Sequence, residues 1–330
     1  MSQATMQQVI ITEPGGPEKL AYEAVAIPTA QADEVLVKVH AFGINRPDIL
    51  QRQGLYPMPK GVTPVPGLEV AGEIVAVGEH VSQFKVGDKV CGLTNGGGYA
   101  EYCVVPESQT LNIPENVSFS QAAAIPETFF TVWANVFQMA KAKAGETILV
   151  HGGTSGIGTT ALMLCKALGL KTFATVGSDD KVAAIAELTD AINYKTQDFE
   201  QVINEKTDNG GVDIILDMVG APYLERNLNL IRRDGRLVYI AFLAGAKAKD
   251  VKLGQIMMKR LTITGSTMRA RTTAEKAEIA HGLKDTVAPL WAKGECLPMI
   301  YKIFKFDQIV DAHIAMDIGD HVGKIVVQVI

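Results

Sequence analysis

Along the first 120 or so residues, apolar and polar positions alternate in short runs. Residues 34–40 (EVLVKVH) and 70–77 (VAGEIVAV) carry the period-two or β-branched pattern of strands. Turn-forming clusters bound them: EPGGP from Glu13, YPMP from Tyr56, TPVPG from Thr63 and NGGG from Asn95. The pattern predicts a compact, loop-rich β module. From about Gln121 the period changes. QAAAIPETFFTVWANVFQMAKA reads as helix, and after it short β-rich runs alternate with helix-period runs, which is the order of a βαβ protein. Strands are expected at 147–150, 171–176, 191–193, 212–217, 236–240 and 261–264. Between the first two, Ile157, Ala161, Leu164 and Leu168 form one apolar stripe that Gly169 closes. Six strands with crossover helices predict a doubly wound parallel sheet. After a helical segment at 273–293 the texture returns to β (KIFKF, GKIVVQVI). The expected organisation is therefore discontinuous: 1–122 and 291–330 form one domain, and 123–290 is inserted in it.

Composition narrows the class. The chain has 330 residues, 47% hydrophobic and 20% charged, as expected of a soluble protein with one or two cores. Its longest uncharged run, 147–165, is interrupted by four glycines, so no membrane span is expected. MSQATMQQVI has no basic flank or apolar export core, which makes the cytoplasm the expected compartment. Cys91, Cys103, Cys165 and Cys296 lie far apart and form no CxxC pair, arguing against a disulfide framework or a cysteine zinc cluster. A net charge of −5 without a Lys/Arg run argues against nucleic acid and anionic membranes and for a small-molecule partner.

One motif carries chemistry. The strand residues ILV lead into His151-Gly152-Gly153-Thr154-Ser155-Gly156-Ile157-Gly158 and then a helix. Glycines there let a backbone approach a pyrophosphate, and the N–H groups of the helix start bind its charge. The turn has one residue more than strict GxGxxG. A site for NAD places Asp or Glu at the end of the second strand, to hold the ribose 2′-hydroxyl; this chain has Gly177 and Ser178, with Lys181 a turn later. A 2′-phosphate suits that set, which favours NADP. Asp179 and Asp180 point the other way if the strand ends later than expected.

Further segments complete a pattern: Gly43-Ile44-Asn45-Arg46-Pro47-Asp48, QRQGLYP, PVPGLEVAGEIVAVG, KVGDKV, NGGGYAEY, AAAIPETFFTVW, VHGGTSGIG, NYK at 193–195 and the terminal GKIVV. Across nearly its full length the chain resembles the zinc-free quinone oxidoreductase branch of the medium-chain dehydrogenase/reductase superfamily. The resemblance implies an α/β protein made of a GroES-like β-rich catalytic domain and a doubly wound parallel-sheet (Rossmann) coenzyme domain. Zinc-containing relatives have Cys where this chain has Asn45, and Gly-His-Glu where it has Gly67-Leu68-Glu69, so no catalytic zinc is expected. The region around Cys91 and Cys103 lacks a structural four-cysteine lobe as well.

The resemblance also assigns roles. Asn45, Asp48 and Tyr56 match residues around the nicotinamide and substrate, Asn45 as a donor to an oxygen gaining charge and Tyr56 as a donor or stacking ring; Asp48 is equally a cap after Pro47, and Tyr56 a packed loop aromatic. Thr131 matches a contact to the nicotinamide ribose or amide. Gly153, Ser155, Gly156 and Ile157 match the pyrophosphate turn, and Ser178, Lys181 and Tyr194 the adenosine-phosphate pocket. Phe242, Leu243, Ser266, Thr267 and Met268 match positions near the nicotinamide, and Lys324 a basic residue close to the cofactor. Arg269 and Arg271 suit anionic groups of the cofactor or surface ion pairs. The implied protein is a cytoplasmic, zinc-independent homodimer that uses NADPH to reduce a quinone. The alternatives are a conjugated alkenal or enone reductase and an NADPH-binding sensor or structural protein.

Overall fold

The computed structural model describes residues 4–56 and 58–330. They fold as two compact units, one drawn from the described residues up to 130 and from 269–330, the other from 131–268. The change in hydrophobic period places the crossings at 122/123 and 290/291. In the structure 123–130 and 269–290 instead belong to the β-rich unit, because their helices bury apolar side chains there: Phe129 meets Trp291 edge to face, with ring centres 5.1 Å apart.

In the unit 131–268, all six expected strands form one sheet in the order Asp190–Asn193, Lys171–Val176, Thr147–His151, Val212–Asp217, Ile231–Tyr239, Thr262–Gly265. Every neighbouring pair is parallel. The order reverses at the central strand Thr147–His151, and ligands bind beside such a switch point in open α/β sheets. The fifth strand starts at Ile231 rather than 236; its register slips opposite Val212/Ile214, and Asp234 sits at φ 62. Buried Leu149, Phe173, Ile192, Phe199, Ile215 and Leu237 form the core against one face.

A buried histidine locks the central strand. Asn227 Nδ2 donates to Asp217 Oδ2 at 2.7 Å, leaving Asn227 Oδ1 to accept from His151 Nε2 at 2.8 Å. His151 Nδ1 then accepts from the Thr175 hydroxyl at 2.9 Å. One neutral tautomer satisfies the whole chain. Burial accordingly holds the imidazole pKa below its usual value.

In the other unit a seven-stranded sheet carries the core. Glu34–Ile44 pairs with Glu69–Val77 and Tyr102–Pro106, and also with Lys324–Gln328 from the far end of the chain (Ile325 opposite Ile44, Val326 opposite Gly43). The helix reading at 121–142 resolves into pieces because Pro126 has no N–H to continue a ladder. A Ser118/Gln121 capping box starts Phe119–Ala122, then comes Pro126–Val132; the wider turns of Trp133–Met139, where Ala140 N donates to Asn135 O at 3.0 Å, belong to the unit 131–268.

Close approach at the glycine turn gives a test. A Cβ on Gly158 would lie 2.3 Å from Gly152 O and 2.8 Å from Gly153 Cα, both backbone. Gly158→Ala should therefore cost about 1–3 kcal/mol in urea unfolding, as other overpacked sites do. Gly254→Ala, in a helix with open space around that Cβ, should be neutral or stabilising. Equal effects of the two would remove the steric argument.

Candidate active site

In the β-rich unit the strand Glu34–Ile44 ends where the helix Arg46–Arg52 begins, and Asn45 caps that helix. Three of its neighbours are charged and buried. Lys324 Nζ donates to Glu69 Oε1 at 2.6 Å, to Asn45 Oδ1 at 2.5 Å and to Ile44 O at 3.3 Å. Asn45 Nδ2 donates to the same Glu69 oxygen at 2.9 Å, and the second oxygen accepts from Glu127 N at 2.8 Å. Glu69 is 0% and Lys324 3% exposed. The three ammonium N–H groups of Lys324 each have an acceptor, while Asn45 keeps one amide N–H beyond these bonds.

Asp48 is wholly buried and accepts from three donors: Asn45 N at 2.8 Å, Gly67 N at 3.2 Å and the Tyr99 hydroxyl at 3.1 Å. Burial pushes its carboxyl up to about 6 against those bonds. The relay extends further. Because the Tyr99 hydroxyl donates to Asp48, its oxygen accepts from His313 Nε2 at 3.1 Å, and His313 Nδ1 faces Arg52 Nη1 at 3.4 Å. Arg52 also pairs with Asp317 at 2.8 Å. The capping expectation for Asp48 is met, and its bonds shape the turn that carries Asn45.

Tyr56 is half-buried, its ring 5.1 Å from the guanidinium carbon of Arg269, and burial raises its hydroxyl pKa. Glu127, pushed up to about 8 by burial and by the Glu69 charge, carries a proton at neutral pH. Lys276, 1% exposed, donates to Asn95 Oδ1 at 2.6 Å, and burial pulls it down to about 8. Sequence reasoning does not single out Glu69, Tyr99, Glu127 or Lys276 as site residues. A usable signal is present in charged residues inside strand texture, Glu69 before VAGEIVAV and Lys324 before IVV, since a buried strand position tolerates a charge only with a partner.

In the unit 131–268, the turn residues divide into two roles. Gly152 N and Gly153 N donate to Thr175 O at 3.1 and 3.0 Å, so they are taken. A Cβ on Gly153 would meet that of Ala174 at 2.6 Å. Ser155 caps the helix Gly156–Ala167, accepting from Gly158 N at 2.9 Å. The N–H groups of Gly156 and Ile157, first in the helix, have no intrahelical acceptor by geometry, which leaves them able to meet an anion. This chain fits a dinucleotide pyrophosphate there.

The second strand ends at Val176, so Gly177 and Ser178 stand at its tip as the spacing predicts. Ser178 caps Asp179–Ala184 through Lys181 N at 3.3 Å. Asp179 is tied to Asn193 Nδ2 at 2.7 Å. The half-exposed Tyr194 lies beside Gly177, whose Cβ would come 3.1 Å from its hydroxyl. Ser178 and Tyr194 thus lie beside one glycine, and Lys181 follows in the first turn of the helix that Ser178 caps. Thr131 O accepts from Asn135 Nδ2 at 2.9 Å, and Asn135 Oδ1 accepts from Ser266 Oγ at 2.9 Å, which joins two expected nicotinamide-side positions. Phe242 and Leu243 are exposed, Thr267 is exposed and Met268 is buried.

Comparison with known proteins agrees with this architecture. Residues 31–115 match the alcohol dehydrogenase GroES-like domain and 156–281 the zinc-binding dehydrogenase family. The chain is 31% identical over 316 residues to a Sus scrofa quinone oxidoreductase, covering 94% of each. It superposes on a Pseudomonas syringae pv. tomato quinone oxidoreductase with a TM-score of 0.83 at 30% identity, covering 98% of this chain and 100% of that one. On the JamJ enoyl reductase the TM-score is 0.86 at 27% identity, with 99% of both chains covered. The chain belongs to the quinone oxidoreductase branch of the medium-chain dehydrogenase/reductase superfamily and is an NAD(P)H-dependent oxidoreductase of that type. The metal for which one of the matching families is named finds a poor site here. Positions 45 and 68 hold an amide and a leucine, and the third position, Glu69, is bound by an ammonium.

His313 supplies the pH test. Burial, with the adjacent Arg52 cation, pulls its imidazole down to about 3, against about 6.5 in an unfolded chain. The unfolded state therefore binds more protons between those values. The stabilisation is complete above pH 6.5 and is lost as pH falls toward 3, by up to about 1.4 kcal/mol per unit. The stability gap between wild type and His313→Gln should close at that slope from pH 6.5 to 4. The raised carboxyls of Asp48 and Glu127 act with opposite sign in both proteins, so the difference isolates the histidine. A gap independent of pH would refute the neutral assignment.

Proposed function

We propose that this oxidoreductase is a zinc-independent, NADPH-dependent reductase of quinones, acting as a homodimer in the cytoplasm. The observation that carries the proposal is the likeness over 94% of the chain to quinone oxidoreductases, combined with an ammonium–carboxylate pair where zinc-dependent relatives hold metal ligands. NADPH supplies a hydride when bound. The pyrophosphate would rest on the N–H groups of Gly156 and Ile157, and Gly153 keeps the turn close to its neighbouring strand. Ser178, Lys181 and Tyr194 would take the 2′-phosphate: the second strand ends at Val176 with Gly177 and Ser178 at its tip, and Asp179 accepts from Asn193 Nδ2 instead of standing there. Thr131, Phe242, Leu243, Ser266, Thr267 and Met268 would border the nicotinamide, the first through the Asn135–Ser266 connection. In the β-rich unit Asn45 offers its remaining amide N–H, and Tyr56 a ring and a hydroxyl, to the acceptor. Asp48 and Lys324 act by holding Asn45 in place.

A residue set built on an amide, a phenol and fixed cations favours acceptors that are already electrophilic, which selects conjugated carbonyls over simple alcohols. The same requirement admits an enoyl or alkenal substrate, and the JamJ enoyl reductase likeness favours that as the second reading. Turnover of an ortho-quinone with NADPH, run beside NADH and beside a short conjugated alkenal, separates them: quinone reduction with NADPH is expected, and turnover of the alkenal alone would promote the second reading. Binding without turnover of either would replace both with a sensor or structural role. Lys181→Ala should raise KM for NADPH by about tenfold or more and leave KM for NADH nearly unchanged, since only NADPH presents the extra phosphate. Equal effects on both would remove the 2′-phosphate assignment.

The dimer reading has its own support. The strand Thr262–Gly265 is the last of its sheet, and Ile263 on it, with Leu253, Met257 and Met258 on the preceding helix, is exposed. Edge strands with apolar neighbours pair readily. Light scattering should give twice the mass of 35.4 kDa, and a monomer would exclude pairing at this edge.

A further inference from the structure

Arg269 is 6% exposed, yet among the described residues its Nε and Nη1 have no hydrogen-bond acceptor. Only Nη2 is engaged, donating to Gln51 Oε1 at 2.9 Å. The fold thus retains a guanidinium with unanswered N–H groups in its interior. The other buried cations of this unit are treated differently. Arg52 has Asp317 and Gly15 O, Lys324 has Glu69, and Lys276 has Asn95. An orphaned buried donor costs stability, and one kept in a native structure calls for a reason, such as a role toward a bound group.

The surroundings indicate what that is. Asp48, a carboxyl that feels this charge, already accepts from three donors. Glu127 is held protonated by burial at neutral pH, and no carboxylate forms an ion pair with Arg269 or Lys276 among the described residues. Two cations thus lie near one another without a direct ion pair among the described residues, and Arg269 is among the groups that lower the Lys276 ammonium. The ring of Tyr56 covers the guanidinium at 5.1 Å and adds a flat apolar wall. A planar molecule with an electron-rich oxygen at its edge meets both features.

We infer that Arg269 is the residue that receives the acceptor's carbonyl oxygen, its Nε and Nη1 groups donating to that oxygen beside the Tyr56 ring. The inference rests on the reading above of a reductase for conjugated carbonyls and specifies its oxygen site. With NADPH bound as hydride donor, an enone would gain a C–H bond while its π pair moves onto the oxygen as an enolate, and a quinone would gain an O–H bond at one oxygen while the pair moves through the ring onto the other as a hydroquinone monoanion. The acceptor has gained two electrons, and the nicotinamide has lost two. One proton from water then completes the neutral product. A fixed guanidinium gains most where that oxygen carries full charge, which is the condition for lowering a barrier rather than merely binding substrate.

A phenolate probe tests this without turnover. With 4-nitrophenol as the probe, absorbance reports the fraction ionised in the bound state, with or without oxidised cofactor. Bound to the wild type, the phenol should ionise about one pH unit or more lower than in solution, as an adjacent opposite charge dictates. Arg269→Gln should abolish the shift and weaken binding about tenfold or more, and Arg269→Lys should retain part of the shift as a point charge without the planar donors. Arg269→Met should melt at or above the wild-type temperature, since it removes an unpaired buried charge. An unshifted probe on the wild type, a shift that survives in Arg269→Gln, or a loss of many degrees in Arg269→Met would each overturn the assignment. With no NADPH in the cuvette, such a failure leaves the NADPH–quinone assay as an independent test of the reductase reading itself.

Discussion

The ion pair between Lys324 and Glu69 is the interaction on which the rest of the β-rich unit depends. Both charges are removed from water, and each alone would be strongly unfavourable; losing one partner of such a pair costs about 3–5 kcal/mol. The pair is useful as a constraint. Lys324 opens the last strand, Glu69 opens another, Asn45 stands between the two, and the second Glu69 oxygen fixes the backbone of Glu127. A chain that has passed through the whole coenzyme unit must therefore return for this unit to close. Discontinuity of the domain is the structural expression of one buried salt bridge and the strand pairing beside it.

Two neutral histidines extend the same logic. In the coenzyme unit His151 links Thr175 to Asn227 and Asp217, and in the β-rich unit His313 links Arg52 to Tyr99 and Asp48. Donor and acceptor counting leaves each ring one tautomer. Fully satisfied networks of this kind specify a single arrangement, because any rotation strands a buried polar atom. They also remove groups from chemistry. Asp48, Tyr99 and His313 resemble a catalytic relay on paper, but each of their named bonds supports the turn around Asn45. The groups left with capacity are the amide of Asn45, the ring and hydroxyl of Tyr56 and the guanidinium of Arg269.

Much of this is legible in the sequence, unevenly and for physical reasons. The six strands of the coenzyme unit are readable because buried parallel strands appear as short apolar runs and the intervening helices keep a 3.6-residue stripe. The glycine turn is readable because its glycines answer to backbone contacts a few residues away, such as Gly158 against Gly152 O. Domain boundaries are harder. The helices at 126–130 and 273–292 carry helical period, which says nothing about which core they bury against, and Phe129 and Trp291 choose the β-rich one. Hardest are the long-range polar partners. Nothing local connects Lys324 to Asn45, or Arg269 to Gln51, and their separation of more than two hundred residues carries no period to detect.

The distribution of charge explains how one scaffold can move between chemistries. A metal at positions 45, 68 and 69 would need thiolate, imidazole and carboxylate; an amide, an isobutyl group and a carboxylate already claimed by Lys324 offer it no coordination sphere. A site without a Lewis acid would lack the means to deprotonate a simple alcohol. It would not lack the means to favour an oxygen that becomes negative after hydride arrives, since a fixed cation does that without any change of coordination. Two kinds of cation are present, and only one is available. Lys324 has all three N–H groups occupied and serves as framework, whereas Arg269 keeps two of its three nitrogens unengaged among the described residues. The step from framework to reactivity lies in that difference in hydrogen-bond completion, and it becomes visible only once partners, rather than residue types, are known.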